Sequence, residues 1–231
     1  LERFKPRVVS FHFGLPDDRL LQRIKRWGAM ALASATTVAE GHWLARHGAD
    51  AVIAQGIEAG GHRGHFLSMD LTLQPTTREL VRGLVDAIDV PVIAAGGIAH
   101  RDDVFALREA GASAVQVGTA YLRCAEATTS AVHRAALDDA QNHETALTNL
   151  FSGRPARGLM NRLMRELGPL SDQVPAFPLA SVALTPLRAH AERLGRGDFS
   201  PLWAGMKIAA IGTPSAAALT RKLAGSPLID D

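Results

Sequence analysis

A chain of 231 residues, 47% hydrophobic and 21% charged, carries enough apolar material for a packed core and is not a disordered polymer. Its 25 basic and 23 acidic side chains leave a formal net charge of +2, with the arginines scattered, which argues against nucleic acid as a partner. One cysteine, Cys124, excludes an internal disulfide and fits a reducing, cytoplasmic compartment, and no apolar run reaches membrane-spanning length.

The chain opens at Leu1 on LERF, which reads as the tail of a helix, so the N-terminal part of a larger protein is expected to precede it. Val8 to Gly14 is β-branched and aromatic and ends at a glycine, which predicts a strand. Asp17 or Asp18 can cap a helix from about Arg19 to Arg26, with Leu20, Leu21 and Ile24 on its inner face. Ala29 to Ala35 is a short apolar run, and a helix from Val38 to His47 stops at Gly48. Ala49 to Gln55 is a strand without polar alternation, as in a parallel sheet covered on both faces. The loop from Gly56 to Pro75 is long enough to suggest function. Thr76 and Glu79 form a capping box for a helix to Ile88. A strand over 90–95 closes in Gly96-Gly97, a helix opens at Asp102-Asp103, a fifth strand and its loop cover Ala114 to Thr119, and a helix is expected from Ala125 to Asp139.

Strict alternation of strand and helix predicts an α/β fold with a parallel sheet and right-handed crossovers. An open doubly wound sheet and part of a (β/α)8 TIM barrel both fit; five units are three short of a full barrel. After Asn142 the alternation stops. Residues 148–158 are turn-rich, and Arg162–Leu167, Thr185–Leu194, Trp203–Ile211 and Ser215–Leu223 are helix candidates. The expected organisation is five β/α units over 1–141 and a mainly helical appendage over 142–231.

Chemistry concentrates at three strand ends: Gln55 with Gly60, Gly61 and His62; Gly96 with Gly97; and Gln116, Val117, Gly118 and Thr119. Loops after consecutive barrel strands hold phosphate groups through backbone N–H donors, and Gly96, Gly97 and Gly118 leave such donors uncovered, with the Thr119 hydroxyl beside them. Close packing of strand on helix also selects glycine. Gln55 and Gln116 can each donate and accept, which suits the edge of a flat heteroaromatic ring. There is no GxGxxG after a strand and no GxxxxGK[ST], so a mononucleotide fits better than a dinucleotide. His62 is the side chain at the loop mouth that gains or loses a proton near neutrality. His12 reads by default as a core histidine, and His42, His47, His100, His133, His143 and His190 as surface side chains. His62 and His65 lack metal-binding spacing, so no metal is expected. Cys124 has no cysteine partner and lies past a strand end, so a nucleophile role is open but without support.

VVSFHFGLP, ADAVIAQGIEAGGHRG, PVIAAGGI and AVQVGTAY, in this order, resemble the motif blocks of the class I nitronate monooxygenases, formerly 2-nitropropane dioxygenases; FSGRPARG and DFSPLWAG are similar to the family's C-terminal segments. The resemblance implies a TIM-barrel flavoprotein with FMN bound non-covalently. It implies FMN contacts at Gln55, Gly60, Gly97, Gln116, Val117, Gly118 and Thr119, and a catalytic histidine at His62. It also implies oxidation of alkyl nitronates by dioxygen to a carbonyl compound and nitrite. The family's first three strands are absent, and Met206 stands where glutamine is expected after WAG. Other FMN barrels, such as enoyl-acyl carrier protein reductases or NADH:quinone reductases, and phosphate-binding lyases or isomerases share similar loops; an inactive fragment is a further alternative.

Overall fold

The structure, a computed structural model, describes residues 1–139, 144–208 and 212–225. These residues divide into two compact units: 1–58, 64–96 and 102–116 form the first, and 59–63, 97–101 and 117 onward the second.

The first unit is built on a parallel sheet of β1 (Val8–Phe11), β2 (Met30–Ala35), β3 (Ala51–Gln55), β5 (Val92–Ala95) and β6 (Ala114–Gln116), in the order β1-β2-β3-β5-β6. Helices α1 (Asp18–Arg26), α2 (Val38–Arg46), α3 (Thr77–Ala87) and α4 (Arg101–Glu109) make the crossovers. The expected alternation is therefore present, and the apolar run from Ala29 is a strand. Asp17 caps α1 through Leu20 N–H at 2.9 Å, and Thr76 with Glu79 forms the expected capping box. Every residue of β3 is buried, and Leu44, Leu80, Val81 and Leu84 are fully buried on the α2 and α3 faces. Burial of each such side chain contributes about 1.5–3 kcal/mol. The edge strands are less covered: Val8 on β1 and Ala114 on β6 are exposed.

The second unit holds an antiparallel sheet of β4 (Gly61–His62), β8 (Ala156–Leu159) and β7 (Thr145–Thr148), in the order β4-β8-β7. His62 pairs with Ala156 and Gly61 with Arg157. Helices α5 (Ala131–Asp138), α6 (Arg162–Leu167), α7 (Ala180–Arg193) and α8 (Ala216–Ala224) complete it. Among the described residues, two apolar clusters stand out in this unit. Leu137, Leu159, Leu202 and Ala204 form one; Leu150, Phe151, Leu163 and Met164 form the other, with Trp203 against it.

Three expectations are corrected. The helix expected from Ala125 begins only at Ala131, because Ser130 caps it through the N–H of His133 at 3.3 Å. β7 and β8 occupy a stretch whose turn-rich composition predicted no strand. The helix expected over 203–211 is absent from its described part: 203–208 are not helical, and 209–211 lie outside the described residues. Trp203 instead bridges Gly158 antiparallel to β8, with Leu159 N–H on Leu202 O at 2.8 Å and Ala204 N–H on Arg157 O at 3.3 Å. Ala, Met and Lys favour a helix there, but tertiary pairing overrides that weak preference.

Candidate functional site

In the first unit, Gln55 ends β3 with its side chain buried, and its Oε1 accepts from Gly64 N–H at 2.7 Å. That commitment makes the carboxamide NH2 the end that donates onward. Gly64 cannot carry a side chain: a Cβ would lie 2.9 Å from His12 Cε1 and 3.0 Å from Ser34 Cβ. His12 is exposed just past β1 and stacks obliquely on Phe13, so it is not the core histidine expected. Phe13 and Gly14 both have positive φ, +65° and +92°, which turns the chain sharply at the strand end.

Sequence reasoning passed over Glu40. It is a helical residue in a polar-looking run, yet its side chain is buried. One oxygen accepts from Thr36 N–H and Oγ1–H, both at 2.7 Å; the other accepts from Phe66 N–H at 2.6 Å and Leu67 N–H at 3.2 Å. This carboxylate ties the end of β2 to the loop downstream of His62. Glu58, two residues before Gly60, accepts from Thr77 N–H at 2.8 Å and Oγ1–H at 2.7 Å, adding a second acidic group at the start of α3. Gly96 follows β5 with φ +120°, and Gln116 is exposed at the end of β6.

In the second unit, β4 fixes His62. Its Nε2 lies 2.7 Å from Ser152 Oγ, and its ring meets Trp203 at 5.5 Å and Phe177 edge-on at 5.7 Å between centroids. Gly60 packs so closely on the 204–205 backbone that a Cβ would lie 2.5 Å from Ala204 C and Gly205 N. Gly61, at φ +73°, has open space where a Cβ would be. Thr119 Oγ1 accepts from Gly205 N–H at 2.9 Å, which leaves its proton to donate elsewhere. The Trp203-Ala204-Gly205 segment thus touches His62, Gly60 and Thr119, three of the residues singled out in the sequence. Gly158 makes room for it, since a Cβ there would meet Leu202 O at 2.9 Å and Trp203 Cε3 at 3.0 Å.

Gly97 has φ +67°, and Val117 directly precedes Gly118. Gly118 begins a short helical turn over Thr119–Arg123, has no side-chain cap, and faces open space where a Cβ would be. Among the described residues, no side chain caps the first turn after Gly118. This fits the phosphate end of a mononucleotide.

His133 is not a surface side chain: it is half-buried, and its Nε2 lies 3.1 Å from Trp203 O. Burial pushes its pKa below 6.5, the Trp203 carbonyl partly opposes this, and Arg188 reinforces it. His42, His47, His100 and His190 are exposed, and His143 lies outside the described residues. His65, beside the candidate site in sequence, is buried. Cys124 is buried, and burial together with Glu126 raises its thiol pKa, the wrong direction for a nucleophile.

A family model described as nitronate monooxygenase matches residues 1–225. The chain is 41% identical over 220 residues to the nitronate monooxygenase of Pseudomonas aeruginosa, covering 95% of this chain and 63% of that protein. It is 36% identical over 214 residues to a probable nitronate monooxygenase of Staphylococcus saprophyticus, covering 92% of this chain and 60% of that one. The chain therefore spans about three fifths of the length of these relatives. Among solved structures, a nitroalkane oxidase from Streptomyces ansochromogenes superposes with a TM-score of 0.86 at 40% identity, over 95% of this chain and 63% of that one. FabK from Thermotoga maritima superposes with a TM-score of 0.71 at 26% identity, over 96% and 68%.

Proposed function

Because this chain belongs to the nitronate monooxygenase family, we propose that the protein oxidises alkyl nitronates with dioxygen to a carbonyl compound and nitrite, using FMN. In this reading, residues 1–141 are five consecutive β/α units of a TIM barrel, followed by a C-terminal segment over 142–231. Flavin supplies the one-electron and dioxygen chemistry that side chains lack.

The observation that carries the proposal is the fixed placement of His62 on β4, walled by Trp203 and Phe177 and held by Ser152. Protonated, His62 holds an anionic nitronate through a charge-assisted hydrogen bond. Neutral, it takes the α-proton of a nitroalkane. Trp203 and Phe177 cover part of the imidazole and lower the local polarity, which strengthens both interactions. For FMN, Gly97, Gly118 and Thr119 offer main-chain and hydroxyl donors to the phosphate, as the open space at Gly118 and the missing side-chain cap support. The resemblance assigns Gln55, Gly60, Gln116 and Val117 to the same cofactor; Gly61 and Gly96 complete the glycine turns.

The test is the visible spectrum of the desalted protein after incubation with FMN, then anaerobic addition of a nitronate. Retained oxidised-flavin absorbance that bleaches on addition is the expected result. Flavin that bleaches only with NAD(P)H would move the protein to the reductase branch of the fold. A colourless protein, also when extended to the full length of its relatives, would reject the cofactor.

A further inference from the structure

Ser152 is 90 residues from His62 in sequence and belongs to none of the strand ends where chemistry was expected. It lies on the turn between β7 and β8 and is buried. The turn is firmly held. Gly153 N–H donates to Asn149 O at 2.8 Å, and Arg63 N–H to Pro155 O at 2.8 Å. Gly153 has φ +90°, and a Cβ on it would lie 2.4 Å from Pro175 O.

Ser152 Oγ makes three hydrogen bonds, at 2.7 Å with His62 Nε2, 3.2 Å with Arg154 O and 3.3 Å with Arg154 N. A hydroxyl has one proton and two lone pairs. The Arg154 amide can only donate, and the Arg154 carbonyl can only accept. Ser152 therefore accepts from Arg154 N–H and gives its proton to Arg154 O. The third bond closes only if the proton lies on His62 Nε2. Buried polar groups satisfy their bonds where they can, so this is the arrangement the turn selects.

We propose that Ser152 is a positioning residue that keeps a proton on His62 Nε2, so that Nδ1 is the nitrogen that gains and loses the second proton. The Nε2–H bond to Ser152 persists in both the neutral and the charged ring, so Ser152 does not have to turn over as His62 titrates. An acceptor on Nε2–H favours the charged ring over the neutral one, so its removal is expected to favour the neutral ring. Ser152 touches neither nitronate nor flavin in this account. Its effect on turnover rests on the proposed role of His62, whereas the tautomer does not.

The test is long-range 1H–15N correlation NMR on the protein labelled with 15N-histidine, with the His62 signals assigned through His62→Asn. The expected wild-type pattern above the titration midpoint is a protonated Nε2 and an unprotonated Nδ1. In Ser152→Ala the tautomers mix and the midpoint moves to lower pH, while Ser152→Thr, which keeps the hydroxyl, restores both. With flavin bound, Ser152→Ala is expected to lower kcat about tenfold with KM little changed, and its pH profile to follow the NMR midpoint. An Nδ1–H tautomer in the wild type overturns the assignment without any variant. So does a midpoint in Ser152→Ala equal to or above the wild-type value. If the protein fails to oxidise nitronates while the tautomer is as expected, the function is wrong and the positioning stands.

Discussion

Replacing His62 with asparagine keeps a polar side chain of similar reach but removes the group that changes charge near neutral pH. His62→Asn should retain FMN absorbance and lose turnover by about 100-fold or more, read by nitrite release. Wild-type rates in this variant would remove His62 from the chemistry. Gly60→Ala should behave differently, because its methyl would press on the Ala204–Gly205 backbone, which has no flexible side-chain end to yield. A loss of about 1–3 kcal/mol is expected by thermal or urea unfolding. His62 and Gly60 are legible in the sequence because a glycine pair beside an ionisable side chain at a strand end has few uses. Ser152 is less legible: FSGRPARG stands out only through its resemblance to a family segment, and nothing in it points to His62 until β8 pairs with β4. Glu40 is hidden for a related reason, since a helical glutamate normally faces water and only burial separates this one from the rest.

The first unit's elements follow from local rules. Caps at Asp17, Thr37 and Thr76 start α1, α2 and α3, and unbroken apolar runs mark the buried strands. The second unit is harder to read, since its strands are short, and β4 and the 202–204 segment reach β8 over long sequence distances. Residues 202–204 show the consequence: local preference favours a helix, whereas pairing with β8 extends them. The loop at Phe66 and Leu67 is tied down by the Glu40 carboxylate. Glu40→Gln would turn an amide NH2 toward buried donors. It should cost about 2–3 kcal/mol and loosen Phe66 and Leu67, seen as faster amide exchange there. An unchanged unfolding midpoint would show that the loop is held by other contacts.

At the level of the whole chain, β1 and β6 are the edges of the parallel sheet, and Val8 on β1 is 49% exposed. Unprotected edges recruit other strands. The 231-residue chain alone should self-associate with rising concentration, and Val8→Lys should reduce this in light scattering. Acid should weaken the fold through His133. Its folded pKa lies below 6.5, so the unfolded chain takes up the proton first as pH falls. Its contribution is therefore absent above about pH 6.5 and becomes a loss of stability below it, growing until the folded pKa is reached. His133→Gln should flatten that limb of the stability curve, whereas an identical acid limb would place the loss in other groups.

Trp203 lies between two imidazoles, its ring against His62 and its carbonyl on His133. The other indoles are occupied elsewhere: Trp27 donates to Pro6 O, and Trp43 stacks on His47 at 3.9 Å. Protonated imidazole quenches indole emission. With Trp27 and Trp43 changed to phenylalanine, the fluorescence of the remaining indole becomes a built-in gauge of charge at the candidate site. It can be read in seconds, without substrate, label or cofactor.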